Sequence, residues 1–142
     1  MNTAIDRKKL FRTLARYIIL LFIANSIAVK LYWYYSIWYF DMPMHFLGGF
    51  CVGLAAIWFW SYKNEAFHIS PKLIYEVILV VLIIGVGWEI FEIIFNNIIA
   101  QGPFDILDTI HDVIFDLSGG TFAILYFIKR FEQGGDFFKL KV

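Results

Sequence analysis

Four aspartates and one histidine fall within twelve residues of this sequence, in the stretch FDILDTIHDVIFDLSGG at positions 104–120. The five residues are Asp105, Asp108, His111, Asp112 and Asp116. On a helix, spacings of three and four residues place the last four of them toward one side. Carboxylates on one face repel each other unless a positive partner joins them, and a divalent cation is the simplest such partner. The run therefore predicts a metal site.

Two shorter motifs add donors of the same kind. Asp41 and His45 are four residues apart, and Glu89 and Glu92 are three apart, so each pair also shares a helix face. Both pairs lie in or beside apolar runs, where ionisable side chains are costly and usually functional. The predicted metal ligands are Asp41, His45, Glu92, Asp108, His111, Asp112 and Asp116. Glu89 is the candidate general base of a reaction at that metal.

The remainder of the chain must position these residues, and its composition indicates a membrane protein. Of 142 residues, 61% are hydrophobic and 20% aromatic, whereas a soluble domain is roughly half apolar. Apolar runs of about 20 residues are typical of transmembrane helices. We predict one all-α domain over residues 1–142, a bundle of four transmembrane helices. Their expected bounds are about 14–34, 43–62, 73–100 and 105–130.

Basic residues set the expected orientation of the bundle. Five lie in residues 7–16, two in 63–72 and four from Lys129 onward, whereas the connections 35–42 and 101–108 carry none. Because cytoplasmic loops are enriched in Lys and Arg, this distribution places both termini in the cytoplasm. The basic start followed by an apolar run also has the look of a secretory signal, but we expect a retained helix.

This topology predicts that the polar residues meet. Asp41 and His45 would open the second helix, Glu89 and Glu92 would lie in the outward half of the third, and the aspartate run would open the fourth. Seven of the twelve acids and two of the three histidines then share one depth on the outer side of the membrane. Lys30, the remaining basic residue on that side, could contact the phosphate of a substrate.

Glycines are expected to bring two of the helices close together. Small residues allow close helix contact in membranes. They occur in the second helix at Gly48, Gly49 and Gly53, and in the fourth at Gly119 and Gly120.

Simpler structural interpretations stay open for several of these residues. Asp105 could cap the fourth helix, and Asp41 could be an ordinary acid at the membrane interface. Glu89 could pair with Lys30, or Lys30 could only extend to the interface. The entire set could also be a polar network without a metal.

Other classes of site and partner are disfavoured. A single cysteine, Cys51, excludes an internal disulfide and a cysteine-rich metal site. A formal net charge of zero makes nucleic acid an unsuitable partner. Oxygen and nitrogen donors without a thiolate suit Mg²⁺, Mn²⁺ or Ca²⁺, and the histidines leave Zn²⁺ and Fe²⁺ open.

Three motifs together resemble a known family. They are D-x-x-x-H at Asp41 and His45, W-E-x-x-E at Trp88, Glu89 and Glu92, and D-x-x-D-x-x-x-D at Asp105, Asp108 and Asp112, followed by Gly119 and Gly120. Over about residues 41–120 this pattern looks like YjdF-type bacterial membrane proteins, and more distantly like VanZ-like proteins. The YjdF-type pattern usually has a lysine before the third aspartate, where this chain has His111.

The resemblance implies a compact multi-span fold with acids clustered near one face. VanZ-like proteins are associated with glycopeptide-antibiotic tolerance, which implies work at the cell envelope, in a bacterial cytoplasmic membrane. Neither family implies a settled reaction.

Three functions fit these observations. The first is a metal-dependent hydrolase or phosphotransferase that acts on a lipid or lipid-linked phosphate at the outer face of the membrane. The second is a transporter or channel for divalent cations or protons, which in a chain this short would need a homo-oligomer. The third is a non-catalytic envelope protein whose polar network binds a lipid or a metal.

Overall fold

The computed structural model describes residues 6–63, 67–95 and 106–131, and within these ranges the chain is helical without strands. The helices are α1 (Arg7–Lys30), α2 (Trp33–Ser36), α3 (Asp41–Lys63), α4 (Pro71–Phe95) and α5 (Ile106–Phe131). Four of them, all except α2, are long and apolar enough to cross a membrane. The predicted all-α fold with four spanning helices is therefore confirmed.

Helix α1 begins at Arg7, well before the predicted start near residue 14. The Asp6 side chain caps it by accepting a hydrogen bond of 2.9 Å from the backbone N–H of Lys9. The first turns are also held by the bundle, since the Arg7 guanidinium lies 5.3 Å from the centre of the Tyr62 ring. A basic, capped first turn is compatible with a helix that starts outside the apolar run.

The same helix ends at Lys30, before the predicted end near residue 34. Tyr32 adopts a left-handed backbone conformation, with φ of 57°, which a helix cannot continue through. The short helix α2 follows, so the aromatic segment 32–40 forms a separate cap at this end of the bundle.

The second and fourth predicted spans match α3 and α5 closely. The predicted third helix starts at α4, whose described part ends at Phe95. Its predicted end near residue 100 and the predicted capping role of Asp105 fall outside the described residues.

Helices α3 and α5 form the closest pair, α4 packs against both, and α1 packs mainly on α3. The apolar core occupies the half of the bundle near the start of α1 and the end of α5. Its fully buried side chains include Leu10, Leu54, Ile57, Val77 and Phe127. The four long helices, α1, α3, α4 and α5, all contribute to this one core, which fixes the register of the polar end.

Glycines account for the close approach of α3 and α5. A Cβ atom at Gly49 would overlap the backbone carbonyl of Asp116, and one at Gly119 would overlap that of Phe46. At Gly53, a Cβ would lie 2.8 Å from the Cβ of Ala123. The predicted close contact through small residues is confirmed, and it sets the backbones next to His45 and Asp116 at near-minimal separation.

Candidate metal centre

One face of α3 carries a polar end and a glycine segment. Asp41, His45, Gly49 and Gly53 follow each other at intervals of four, so they lie along one side of the helix. That side faces α5, and it buries His45 to 6% exposure. The glycines allow α3 and α5 to approach closely, and the first two turns of α3 place Asp41 and His45 on the side that faces α5.

Helix α4 presents a single buried stripe. Residues Leu73, Val77, Val81, Gly85 and Glu89, again at intervals of four, are all buried. The stripe is apolar until its last turns, where Glu89 ends it with a carboxylate that is 4% exposed. Glu89 lies inside the bundle because it continues the buried face of α4 that the four preceding residues of the stripe form.

Helix α5 adds two carboxylates from one face. Asp112 and Asp116 are 1% and 6% exposed, one turn apart, and the same face continues into Gly119, Gly120 and Ala123. The packing that buries the glycines therefore also buries the acids. Three helices place a histidine and three carboxylates in the interior of a membrane bundle.

His45 is the centre of the cluster, which consists of Asp41, His45, Glu89, Glu92, Asp112 and Asp116. Its Nε2 atom lies 3.7 Å from Asp41 Oδ1, 3.9 Å from Glu89 Oε1 and 3.9 Å from Asp112 Oδ2. Its Nδ1 atom lies 3.4 Å from Asp116 Oδ2. The two ring nitrogens thus face different carboxylates, and the three distances from Nε2 exceed those of direct hydrogen bonds.

Two carboxylate oxygens of the cluster are buried without a hydrogen-bond partner, namely Glu89 Oε1 and Asp112 Oδ1. A buried acceptor without a partner costs about 1–3 kcal/mol, and more when it is charged. Such atoms call for a ligand that supplies positive charge or a donor. Both belong to side chains that surround His45 Nε2, so one ligand could satisfy both.

The spacing of the donor atoms fits a metal ion. Atoms of Asp41, His45 and Asp112 lie within 4.8 Å of one another, and so do atoms of His45, Glu89 and Glu92. Two ligands on opposite sides of one ion are about 4–5 Å apart, because metal–donor bonds are about 2.0–2.6 Å long. His45 belongs to both groups, which makes it the shared donor of one centre.

Both glutamates of the cluster have a hydrogen-bond donor beside them, and one of its aspartates is partly exposed. The Thr109 hydroxyl hydrogen-bonds to Glu89, and the Trp88 side chain to Glu92. Asp41, at 32% side-chain exposure, is the most accessible carboxylate that faces His45. Asp41 therefore leaves the cluster partly open to the surface of the bundle.

Tyr34 of α2 lies near Asp41 and Glu92, at the partly exposed edge of the cluster. Its hydroxyl donates a hydrogen bond of 2.7 Å to Asn25 Oδ1 on α1. Burial, with additional repulsion from Asp41 and Glu92, raises the pKa of Tyr34 to about 12. The phenol therefore stays neutral and keeps its proton next to a group of acids.

Not every predicted site residue joins the cluster. His111 is exposed on α5, because it precedes Asp112 by one residue and so points about 100° away from it. Asp108 is also exposed, one turn before Asp112, where its charge acts on Asp41 and Asp112. The expectation that one helix face holds Asp108 and His111 together with Asp112 and Asp116 is not met. The other predicted donors converge, namely Asp41, His45, Glu92, Asp112 and Asp116.

Lys30 lies at the same end of the bundle but outside the cluster. Its side chain is exposed on the last turn of α1, where a cation is favourable beside the helix C-terminus. Among the described residues, no ion pair joins it to Glu89, whose charged neighbour is His45. The interpretation of Glu89 as the structural partner of Lys30 is therefore not supported.

Sequence reasoning did not assign Tyr34 and Thr109 to the site. Tyr34 is one of several aromatic residues in 32–40, and the sequence does not show that the turn at Tyr32 places it near Asp41 and Glu92. Thr109 precedes Asp112 by three residues on α5, a spacing that places a hydroxyl near that carboxylate's face. That spacing is the signal by which it was detectable.

Fold and cluster together define a polytopic α-helical membrane protein with a buried histidine–carboxylate centre. A sequence model of the family described as "Predicted membrane protein (DUF2238)" matches residues 3–133. The chain therefore belongs to this family, the YjdF family, and the resemblance seen in the motifs is confirmed. No curated protein and no solved structure matches the chain. The more distant resemblance to VanZ-like proteins stays a prediction.

Proposed function

We propose that this protein is an intramembrane metal-dependent enzyme that acts on the phosphate of a lipid or lipid-linked molecule. The observation that carries the proposal is a pair of buried, unpartnered oxygens, Glu89 Oε1 and Asp112 Oδ1. Glu89 Oε1 lies 3.9 Å from His45 Nε2, and the second oxygen of Asp112, Oδ2, lies at the same distance from that nitrogen. The two unpartnered oxygens favour a bound cation over a closed hydrogen-bond network, because a closed network would have satisfied them.

Asp41, His45 and Asp112 are the proposed ligands, since these three form one group of matched spacing. A divalent ion there would polarise a phosphoryl oxygen and make water a better nucleophile. It would also offset the negative charge of the carboxylates, which otherwise would repel an anionic substrate.

Glu89 is the proposed general base. Its carboxylate is held by Thr109 and lies beside the ligand group without belonging to that trio. In hydrolysis, Glu89 takes a proton from water as the water oxygen bonds to phosphorus. The bond from phosphorus to the leaving oxygen, which belongs to an alcohol or to a second phosphate, breaks, and that oxygen takes up the proton that Glu89 received. Lys30, exposed at the same end of the bundle, is proposed to contact the phosphate.

An amphiphilic substrate suits the position of the centre. The donors lie near the ends of apolar spans, at the start of α3 and α5 and the end of α4. A lipid headgroup reaches that depth from the side while its chains remain in the bilayer. The exposed face of Asp41 provides the opening through which a phosphate approaches the metal.

A transport pathway is less well supported. Past Asp116, the α3–α5 contact is glycine against backbone, and the interior beyond it is mainly apolar, with side chains such as Leu54 and Phe127. The hydroxyl of buried Ser61 in that half donates to the backbone carbonyl of Trp58. An ion moving through the described part of the bundle would therefore find no series of polar ligands there.

Metal analysis followed by a lipid-phosphatase assay tests the proposal. Purified protein should contain a divalent metal by mass spectrometry and, in mixed micelles, release inorganic phosphate from at least one of phosphatidate, polyprenyl phosphate and polyprenyl diphosphate. Glu89→Gln should abolish release while retaining the metal. Glu76→Gln, the same change on α4 next to Lys72 and remote from the cluster, should not. Metal binding without turnover on any substrate would indicate a non-catalytic protein, and ion flux in sealed vesicles a transporter.

A further inference from the structure

Asp116 differs from the other carboxylates in the nitrogen that it faces. Its Oδ2 atom lies 3.4 Å from His45 Nδ1, on the side of the ring opposite to Asp41, Glu89 and Asp112. Both side chains are nearly fully buried, at 6% and 9% exposure. Among the described residues, Asp116 belongs to neither group whose spacing suits a metal ion. Its partner is therefore the imidazole.

Glycines on the two neighbouring helices leave room for this carboxylate. A Cβ atom at Gly85 of α4 would lie 2.5 Å from Asp116 Oδ2, and one at Gly48 of α3 would lie 3.8 Å from Oδ1. The space around the Asp116 carboxylate is smallest beside Gly85, where any side chain would push against Oδ2, the oxygen that faces His45. The absence of a side chain at Gly85 thus leaves the space that this oxygen occupies.

We propose that Asp116 is a positioning residue: it accepts the Nδ1–H of His45 and holds the ring with Nε2 directed at Asp41, Glu89 and Asp112. This replaces the direct metal-ligand role expected for Asp116 from the sequence. The consequence for metal affinity rests on the proposed function, whereas the ring orientation does not.

A carboxylate behind an imidazole fixes the tautomer and the orientation of the ring and makes the free nitrogen a better donor. Loss of such a partner lowers metal affinity by about 10–100-fold. The effect of losing Asp116 should therefore be graded, while loss of the direct ligand Asp112 should abolish tight binding.

Nitrogen NMR of histidine-labelled protein in detergent micelles tests the orientation directly. The signals of His45 are identified by their absence in His45→Asn. Wild type should show a His45 Nδ1–H proton that is shifted downfield and protected from exchange, with and without added Zn²⁺. With Zn²⁺ bound, Nε2 should carry the metal. Asp116→Asn should move the Nδ1–H signal, whereas Asp112→Asn should retain it.

A second pair of variants tests the role without changing any ionisable group. Gly85→Ala places a methyl group against Asp116 Oδ2, whereas a Cβ at Gly87, half a turn further along α4, meets nothing within 4 Å. Titration with Zn²⁺ should show about 10–100-fold weaker binding for Gly85→Ala and unchanged affinity for Gly87→Ala. The Nδ1–H signal should change only in Gly85→Ala.

The outcomes separate this inference from the proposed function. A metal-bound Nδ1, or an Nδ1–H that is unaffected by both Asp116→Asn and Gly85→Ala, would overturn the positioning role even if the metal binds. If wild type binds no metal but the Nδ1–H behaves as expected, the metal centre fails while the orienting role of Asp116 stands.

Discussion

Gly49 of α3 lies against the backbone carbonyl of Asp116 of α5, so closely that a Cβ atom at Gly49 would overlap it. The contact joins two backbones, neither of which can rotate away as a side chain does. It lies one turn from His45, and it therefore ties the separation of the two helices to the geometry of the cluster.

Gly49→Ala should destabilise the protein. Overpacking usually costs about 1–3 kcal/mol, and here the helices must move apart because the clash is with backbone. The gain of about 1 kcal/mol from replacing glycine by alanine in a helix only partly offsets this. Thermal unfolding in detergent should show a lower midpoint for Gly49→Ala. Gly87→Ala, which meets nothing within 4 Å, should have an unchanged or higher midpoint, and equal midpoints for the two variants would contradict the close contact.

The fold was largely predictable because the features that determine it are visible as patterns along the sequence. Apolar length determines a membrane span, and glycine spacing on α3 and α5 indicated which helices approach each other. The start of α1 at Arg7 was missed because its causes are a single cap at Asp6 and the packing of the Arg7 side chain on Tyr62. The end of α1 before Tyr32 was missed because an aromatic run contains no sequence signal for a residue with a left-handed backbone conformation.

Orientation in the membrane is a further prediction from the distribution of Lys and Arg. With Cys51 replaced by serine, a cysteine at Tyr35, which is 89% exposed on α2, should react with an impermeant maleimide in intact cells. A cysteine at His68, in the connection before α4, should react only after permeabilisation. The reverse pattern would place the cluster on the cytoplasmic side.

Tyr34 predicts a stability loss at alkaline pH. Burial next to Asp41 and Glu92 raises its pKa to about 12, whereas an unfolded tyrosine titrates near about 10. The folded state therefore holds this proton more tightly, so its contribution is complete below pH of about 10 and is lost as the pH rises toward about 12. Unfolding midpoints measured across this range should fall less in Tyr34→Phe than in wild type. The exposed control Tyr35→Phe should follow wild type, and identical curves for both variants would refute the assignment.

The candidate site was less predictable than the fold. Helical spacing identified His45, Glu89 and Asp112, because residues four apart share a face and a membrane interior provides no solvated side for them. Helical spacing could not show that Asp112 is buried and His111 is exposed, because each of them is three or four residues from Asp108 and so lies toward the same side of the helix. It also could not show which imidazole nitrogen faces Asp116, because that depends on how α3 rotates against α5.

His111 and His45 should therefore differ in their effects on metal binding. Since His111 is exposed and His45 is buried at the centre of the cluster, His111→Gln should bind Zn²⁺ with the affinity of wild type. His45→Gln should lose tight binding. Titration of both variants in the same detergent provides the comparison. Loss of binding in His111→Gln would restore the ligand role expected from its position in the aspartate run.

Removal of a divalent ion should destabilise the bundle. Without a cation, the carboxylates around His45 repel each other in a region of low dielectric. An ion present at 100 times its Kd stabilises the folded state by about 2.7 kcal/mol. Chelator should therefore lower the unfolding midpoint of wild type in detergent, and one of Mg²⁺, Mn²⁺, Ca²⁺, Zn²⁺ or Fe²⁺ should restore it.

Asp112→Asn and Glu92→Gln should lose this response to metal while still inserting into membranes. Asp112→Asn removes a proposed ligand, and Glu92→Gln removes a carboxylate of the second donor group around His45. Each variant also removes one negative charge, so repulsion in the metal-free protein decreases. With chelator present, the two variants should therefore be at least as stable as wild type, although they bind no ion. Glu76→Gln, whose carboxylate pairs with Lys72, should respond to metal as wild type does. If wild type is indifferent to chelator across neutral pH, the carboxylates share protons with each other and with His45, and the metal centre must be abandoned for a proton-binding or purely structural network.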